Sequence, residues 1–117
     1  VGLFPRPTWF TPTFDKWAGE LCGGLQLHVI DLKKFSPYRF TLALLKAVIK
    51  LYPGAFCWLE PPYEYEYEKL PIDILTGDPA IRLTLDAGGD LDSLQKLWEE
   101  GDLEVFSSQR SDLIIYN

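Results

Sequence analysis

An α+β fold is predicted by three features of the sequence. Residues 25–31 alternate between apolar and polar side chains, a pattern typical of a β-strand with one apolar face. Residues 37–52 and 79–87 each begin with a proline behind a capping residue, Ser36 or Asp78, which predicts two helices. The order of elements shows no βαβ regularity, so we expect a small mixed sheet packed against about three helices in a single domain.

The composition excludes several classes of protein. The chain has 117 residues, of which 47% are apolar and 15% aromatic, enough for a domain with its own core. It begins at Val1 and contains no Met, so we expect it to be a piece of a longer protein. A net charge of −6 argues against nucleic-acid binding, which relies on clustered Lys and Arg. No apolar run approaches the roughly 20 residues of a membrane-spanning helix, so no membrane span is expected.

The N-terminal third is predicted to form two strands. Three prolines in residues 3–14 suit a ragged edge segment, because proline cannot donate to a central hydrogen-bond ladder. In residues 25–31 the period of two places Gln26 and His28 on one face. The opposite face carries the apolar side chains of Leu25, Leu27 and Val29.

The first predicted helix is the longest element. It spans residues 37–52 and ends before Pro53-Gly54. Its apolar stripe consists of Phe40, Leu44, Leu45, Val48, Ile49 and Tyr52. The apolar residues 56–59 then predict a short buried strand, which Pro61-Pro62 closes.

Two more helices and a last strand are predicted in the C-terminal third. The helix over residues 79–87 ends at Gly88-Gly89. Asp90 caps the next helix, and Gly101 is a point at which that helix bends or is interrupted. Its apolar stripe consists of Leu91, Leu94, Leu97, Trp98 and Val105. Residues 113–116 are rich in β-branched side chains and are predicted to return as a strand.

The least ordinary segment alternates tyrosine and glutamate over residues 63–68. An extended backbone would place three tyrosines on one side and three carboxylates on the other. Such a two-faced ribbon suits a sugar, whose C–H groups pack on rings while its hydroxyls donate to acids. Tyr63 and Glu64 are therefore candidate sugar contacts. The competing interpretation is an edge strand that buries its tyrosines and exposes its glutamates.

His28 is the only histidine of the chain. Histidine can shuttle a proton or hydrogen-bond a sugar hydroxyl, and a structural, hydrogen-bonded histidine explains its presence equally well. No second histidine or thiolate pair stands at ligand spacing, so no metal site is predicted. Cys22 and Cys57 lack CxxC spacing and are interpreted as two small buried side chains, while a disulfide between them stays open.

A glycine-rich turn precedes the second strand. Gly19, Gly23 and Gly24 permit positive φ and the close approach of a ligand to the backbone. Their spacing does not match a phosphate-binding loop. Glu20 is a carboxylate held in this turn and is a further candidate for ligand binding. Alternatively, the turn only introduces the strand and Glu20 is solvated.

The residues 10–14 and 16–29, with the sequences FTPTF and KWAGELCGGLQLHV, resemble the C-terminal domain of the NamZ/YbbC-like family. Residues 62–66, 70–73 and 76–77 resemble its later segments, as does the closing helix around Trp98. The likeness spans nearly the whole chain. Trp17 stands where an aromatic such as Tyr is common in the family, which keeps a stacking ring at this position.

The resemblance implies a bacterial exo-beta-N-acetylmuramidase that releases terminal N-acetylmuramic acid from peptidoglycan fragments during cell-wall turnover. It also implies that residues 1–117 are a C-terminal auxiliary domain, and that a Rossmann-like catalytic N-terminal domain outside this chain forms a cleft with it. We therefore expect an extracytoplasmic protein without cofactor or metal. Its expected partners are a peptidoglycan-derived sugar and its own catalytic domain, and the isolated domain is expected to be inactive.

Five residues are candidates for contact with the sugar, namely Glu20, Gln26, His28, Tyr63 and Glu64. We expect the first three to lie close together on a face toward the missing domain. Glycoside hydrolysis ordinarily needs two carboxyl groups, and the spacing of the acids does not show two that converge. Catalytic residues are therefore not assigned. The competing interpretation is a non-catalytic structural or interaction module.

Overall fold

The computed structural model describes residues 2–97, 103–111 and 113–115. In these ranges an antiparallel sheet of two strands is followed by five helices, which confirms the predicted α+β class. The strands are β1 (Leu3–Phe10) and β2 (Cys22–Val29), and the helices are α1 (Pro37–Leu51), α2 (Pro71–Thr76), α3 (Pro79–Asp86), α4 (Leu91–Leu97) and α5 (Leu103–Ser111). The chain divides into two units, Val1–Pro37 and Tyr38–Asn117.

The first unit is a β-hairpin whose two strands are also joined, at the end away from the connecting loop, by hydrogen bonds to the backbone of Gly2. β1 and β2 pair without a bulge from Leu3 opposite Val29 to Phe10 opposite Cys22. The carbonyl of Gly2 accepts hydrogen bonds from the amides of Ile30 at 3.0 Å and Asp31 at 3.1 Å. Both strands were predicted, although β2 begins at Cys22 rather than at residue 25.

The second unit is held together by a small core between α1 and α3. Leu42, Ile81 and Leu85 are its buried members, with 2%, 1% and 1% of their surfaces exposed. Four partly buried side chains pack against them: Leu45, Ile49, Trp58 and Leu91. The predicted apolar stripe of α1 included Leu45 and Ile49 but omitted Leu42, the most buried residue of this helix.

The predicted capping signals around α3 and α4 are confirmed. The Asp78 carboxylate accepts a hydrogen bond from the Ala80 amide at 2.8 Å, and Pro79 opens α3. At the end of this helix the Gly89 amide donates to the Thr84 carbonyl at 2.8 Å, so the glycine pair provides the stop. The Asp90 carboxylate accepts from the amides of Asp92 and Ser93 at the start of α4.

Helix α2 was missed by the sequence analysis. It has only six residues, and its N-cap position makes no side-chain capping bond. Gly77 ends it in the left-handed conformation with φ 82°, and its amide donates to the Asp73 carbonyl. A bidentate salt bridge joins α2 to α3, because both carboxylate oxygens of Asp73 accept hydrogen bonds from Arg82, at 2.8 and 3.1 Å.

Two predictions about the remaining elements need correction, and a third falls partly outside the described residues. Residues 56–59 do not form a strand, because Trp58 packs on the helical core and its indole donates to Asp86 at 2.8 Å instead of facing a partner strand. Helices α4 and α5 cover the described parts of the helix predicted through Val105, while Trp98 and Gly101, the predicted point of a bend or interruption, lie outside the described residues. Residues 113–115 form a turn and irregular backbone rather than a strand, and Tyr116 lies outside the described residues.

The cap at Asp90 should make the stability of the second unit sensitive to acid. The Ser93 hydroxyl, followed by the amides of Asp92 and Ser93, lowers the pKa of Asp90 by hydrogen bonding its ionised form. A carboxyl whose folded pKa lies below its unfolded value stabilises the fold above the unfolded pKa and loses this effect as the pH falls through the folded one.

We therefore expect Asp90→Ala to lower the unfolding temperature at about pH 7, and the difference from wild type to shrink as the pH falls below about 4, the usual pKa of an unfolded aspartate, toward the lower folded pKa. Thermal unfolding of both proteins across this range is the measurement. Ser107→Ala, in the exposed part of α5, is the control. A difference between wild type and Asp90→Ala that does not change with pH would contradict the role of the ionised carboxylate.

Candidate functional site

The hairpin has two chemically different faces. Because side chains alternate along paired strands, the register assigns eight residues to each face. The polar face carries Phe4, Arg6, Thr8, Phe10, Cys22, Gly24, Gln26 and His28. The apolar face carries Leu3, Pro5, Pro7, Trp9, Gly23, Leu25, Leu27 and Val29. The predicted separation of Gln26 and His28 from the three apolar residues of β2 is confirmed.

Arg6 lies at the centre of the polar face, opposite Gln26. Its Nη2 donates a hydrogen bond of 2.5 Å to the Gln26 Oε1. The sequence analysis did not select Arg6, although the alternation of Phe4, Arg6 and Thr8 with apolar neighbours is visible in the sequence. His28, which pairs with Phe4, is exposed two residues further along β2.

Aromatic rings flank the arginine on both sides. Phe4 and Phe10 are 57% and 50% exposed, unusually open for phenylalanine side chains. A Cβ atom added to Gly24 would lie 2.7 Å from Cε1 of Phe10, so this ring lies against the backbone of β2. The polar face thus combines a cation, an amide and an imidazole with rings on which apolar parts of a ligand can pack.

Glu20 does not lie beside Gln26 and His28, contrary to expectation. It belongs to the loop that joins the strands, two residues before β2 begins. His28 lies near the other end of β2, about 20 Å from the start of that strand at the usual rise per residue. Strand length separates them, and the exposed Glu20 is at the loop end of the hairpin.

Tyr63 and Glu64 belong to the second unit, and the extended ribbon predicted there is wrong. Tyr63 and Glu66 exchange backbone hydrogen bonds of 2.9 and 3.0 Å, which closes a tight turn. Glu64 adopts φ 53° within this turn. The competing edge strand is wrong as well, because Tyr65 and Tyr67 are 91% and 71% exposed.

Two carboxylates of the second unit line one cavity of about 360 Å³, together with Lys69. Glu66 accepts hydrogen bonds from the amides of Glu68 and Lys69, which lower its pKa and keep it ionised. The other carboxylate, Asp73, accepts a hydrogen bond from Arg82, and this bond raises the pKa of Arg82. A general acid needs a raised pKa, so Glu66 does not have the character of one.

Other classes of site find little support in the described ranges. There, no group of three or more His, Cys, Asp or Glu side chains is placed to hold a metal ion. Cys22 and Cys57 carry free thiols, and the exposure of Cys57 contradicts its prediction as a buried side chain. No helix in this part of the chain has the length and apolar character needed to cross a membrane.

Comparisons with known proteins agree with one another. Over residues 1–116 the chain matches the family described as exo-beta-N-acetylmuramidase NamZ, C-terminal. It is 33% identical over 115 residues to the peptidoglycan beta-N-acetylmuramidase NamZ of Bacillus subtilis, a match that covers 98% of this chain and 26% of that protein. The chain therefore spans about a quarter of the length of this curated relative.

The fold recurs in a crystal structure of a DUF1343 family protein from Bacteroides fragilis. The TM-score is 0.74 at 18% identity, and the match covers 99% of this chain and 29% of that one. The family match extends over almost every residue, including both faces of the hairpin and all five helices. The chain accordingly belongs to the NamZ C-terminal domain family, as its resemblance predicted.

Proposed function

We propose that this chain is the C-terminal part of a longer hydrolase that releases terminal N-acetylmuramic acid from peptidoglycan fragments. In this proposal a catalytic N-terminal domain lies outside the chain, and the polar face of the hairpin forms one wall of the cleft between the two. Support comes from the name of the Bacillus subtilis relative and from the fraction of that protein that the chain covers. Because peptidoglycan is outside the cytoplasmic membrane, we place the protein there too.

The polar face is the observation that carries the proposed cleft wall. Arg6, Gln26 and His28 are all exposed; the Arg6–Gln26 pair lies between the open rings of Phe4 and Phe10, and His28 lies opposite Phe4. Carbohydrate sites combine ring surfaces for C–H groups with polar groups for hydroxyls, which is the composition of this face. Tyr63 and Glu64, the sugar contacts predicted from the sequence, lie in a turn of the second unit.

A non-catalytic module that binds another domain is favoured by the opposite face of the hairpin. Leu25, Leu27 and Val29 are 45%, 45% and 43% exposed, and Trp9 is 73% exposed. Contiguous exposed apolar side chains mark interaction surfaces. The two functions differ in whether they need the polar face, because an interaction module would use only the apolar face of the hairpin.

Replacing His28 with alanine in the full-length protein distinguishes the two functions. We expect kcat/KM for a chromogenic N-acetylmuramic acid glycoside to fall at least about tenfold, the effect of losing about 1.4 kcal/mol of transition-state binding. The unfolding temperature should stay nearly unchanged, because the side chain is exposed. The 117-residue chain alone should unfold cooperatively and release no sugar.

Lys96→Ala, at an exposed position of α4, is the matched control and should retain full activity. Full activity of His28→Ala together with a large loss of stability would show that His28 is a structural residue and that the polar face is not the cleft wall. Sugar release by the 117-residue chain alone would refute the assignment of catalysis to another domain.

A further inference from the structure

We propose that Arg6 binds the carboxylate of the lactyl group of N-acetylmuramic acid and thereby selects this sugar over N-acetylglucosamine. The inference rests on the proposed function and names the group that the polar face recognises. The two sugars differ only in the lactyl ether at O3, which gives N-acetylmuramic acid a negative charge. The carboxylate is therefore the charged group by which a site can distinguish them.

Arg6 carries a charge that the described part of the chain does not neutralise. Its partner Gln26 is a neutral amide, and the hydrogen bond between them uses one of five guanidinium N–H donors. Other arginines have acidic or aromatic partners: Arg39 pairs with Asp92, Arg82 pairs with Asp73, and Arg110 lies over the Phe106 ring.

The geometry around Arg6 suits a bound carboxylate. A guanidinium presents its donors in a planar fork that matches a carboxylate with two parallel hydrogen bonds. Gln26, on β2, accepts a hydrogen bond from Nη2 of Arg6 and so orients the guanidinium. Because Gln26 is neutral, the positive charge of Arg6 remains available to a ligand. Gln26 is thus a positioning residue, whereas Arg6 contacts the ligand.

The neighbours of Arg6 provide for the rest of the sugar. Thr8 and Phe4 lie on either side of it along β1, and Phe10 lies two residues beyond Thr8. Opposite Thr8, Gly24 has no side chain, and the Phe10 ring covers its backbone. A pyranose ring with its carboxylate on Arg6 can therefore place C–H groups on an aromatic surface of the same face.

The test compares Arg6→Gln with wild type in the full-length protein, using two substrates. One is a chromogenic N-acetylmuramic acid glycoside, and the other is the same glycoside with its lactyl carboxylate converted to the methyl ester. We expect Arg6→Gln to raise KM for the acid at least about tenfold and to leave the ester unchanged. Arg6→Lys keeps the charge without the planar fork, so its KM for the acid should lie between those of wild type and Arg6→Gln. Arg110→Gln is the control and should match wild type.

Equal losses on acid and ester, or no loss on either, would overturn the assignment of Arg6. Direct binding separates this failure from failure of the proposed function. Titration of N-acetylmuramic acid and N-acetylglucosamine, followed by NMR, should show at least about tenfold tighter binding of the acid by wild type and no preference in Arg6→Gln. Preference without hydrolysis would refute the proposed reaction and keep the carboxylate site, whereas hydrolysis without any dependence on Arg6 would refute the site alone.

Discussion

Replacing Leu42 with alanine is expected to lower the free energy of unfolding by about 2–5 kcal/mol. Leu42 is 2% exposed and contacts Ile81 and Leu85, which are the other buried members of the core. Alanine would remove apolar contacts and leave a cavity where α1 meets α3. So small a core has few neighbouring side chains that can move to fill the space. Denaturant unfolding of the 117-residue chain, followed by circular dichroism of its helices, measures the loss.

Leu51→Ala provides a matched control on the same helix. Leu51 is 69% exposed at the end of α1, so its truncation should change stability by no more than about 0.5 kcal/mol. Leu45, which packs on the core while partly exposed, should give an intermediate loss. If Leu42→Ala and Leu51→Ala lose the same stability, the inner face of α1 is wrongly assigned.

The existence of α1 and most of its inner face could be predicted, but not its most buried residue, Leu42. Apolar residues occupy most of its surface, so several overlapping stripes satisfy the helical period. The core uses the stripe of Leu42, Leu45 and Ile49, spaced three and four residues apart. Only the position of α3 decides between the stripes, and that is a long-range property.

The faces of the hairpin followed from local pattern, whereas its central contact did not. The period of two is enough to separate Gln26 from Leu27. The bond between Arg6 and Gln26 joins residues 20 positions apart and depends on the register of the whole hairpin. The length of the connecting loop sets that register, and composition does not specify it.

The tyrosine and glutamate segment shows where a local period misleads. Alternation over residues 63–68 is compatible with an extended strand, but a strand needs a partner to satisfy its backbone. Here Tyr63 and Glu66 satisfy each other, and the Glu66 carboxylate accepts the amides of the following turn. Local hydrogen bonds of a side chain to nearby backbone therefore outweighed the alternating pattern.

Replacing Gly2 with alanine is expected to destabilise the hairpin by at least about 2 kcal/mol. Gly2 has φ +66°, a conformation that costs an L-residue roughly 1–2 kcal/mol. A Cβ atom there would also lie 2.5 Å from the Asp31 carbonyl oxygen and 2.8 Å from the Phe35 nitrogen. Both are backbone atoms, so the chain around residues 31–35 must shift. That shift would strain the bonds from Ile30 and Asp31 to the Gly2 carbonyl, which close the hairpin.

Gly77→Ala separates the two contributions. Gly77 has φ +82°, but a Cβ atom there would meet nothing within 4 Å, so only the cost of the left-handed backbone applies. The NMR resonances of the single histidine, His28, report on the hairpin during denaturant unfolding. We expect Gly2→Ala to lose clearly more stability, measured at the His28 signal, than Gly77→Ala loses, measured at the helices. Equal losses would mean that the backbone of residues 31–35 yields to the added methyl group, and that Gly2 is required for its φ alone.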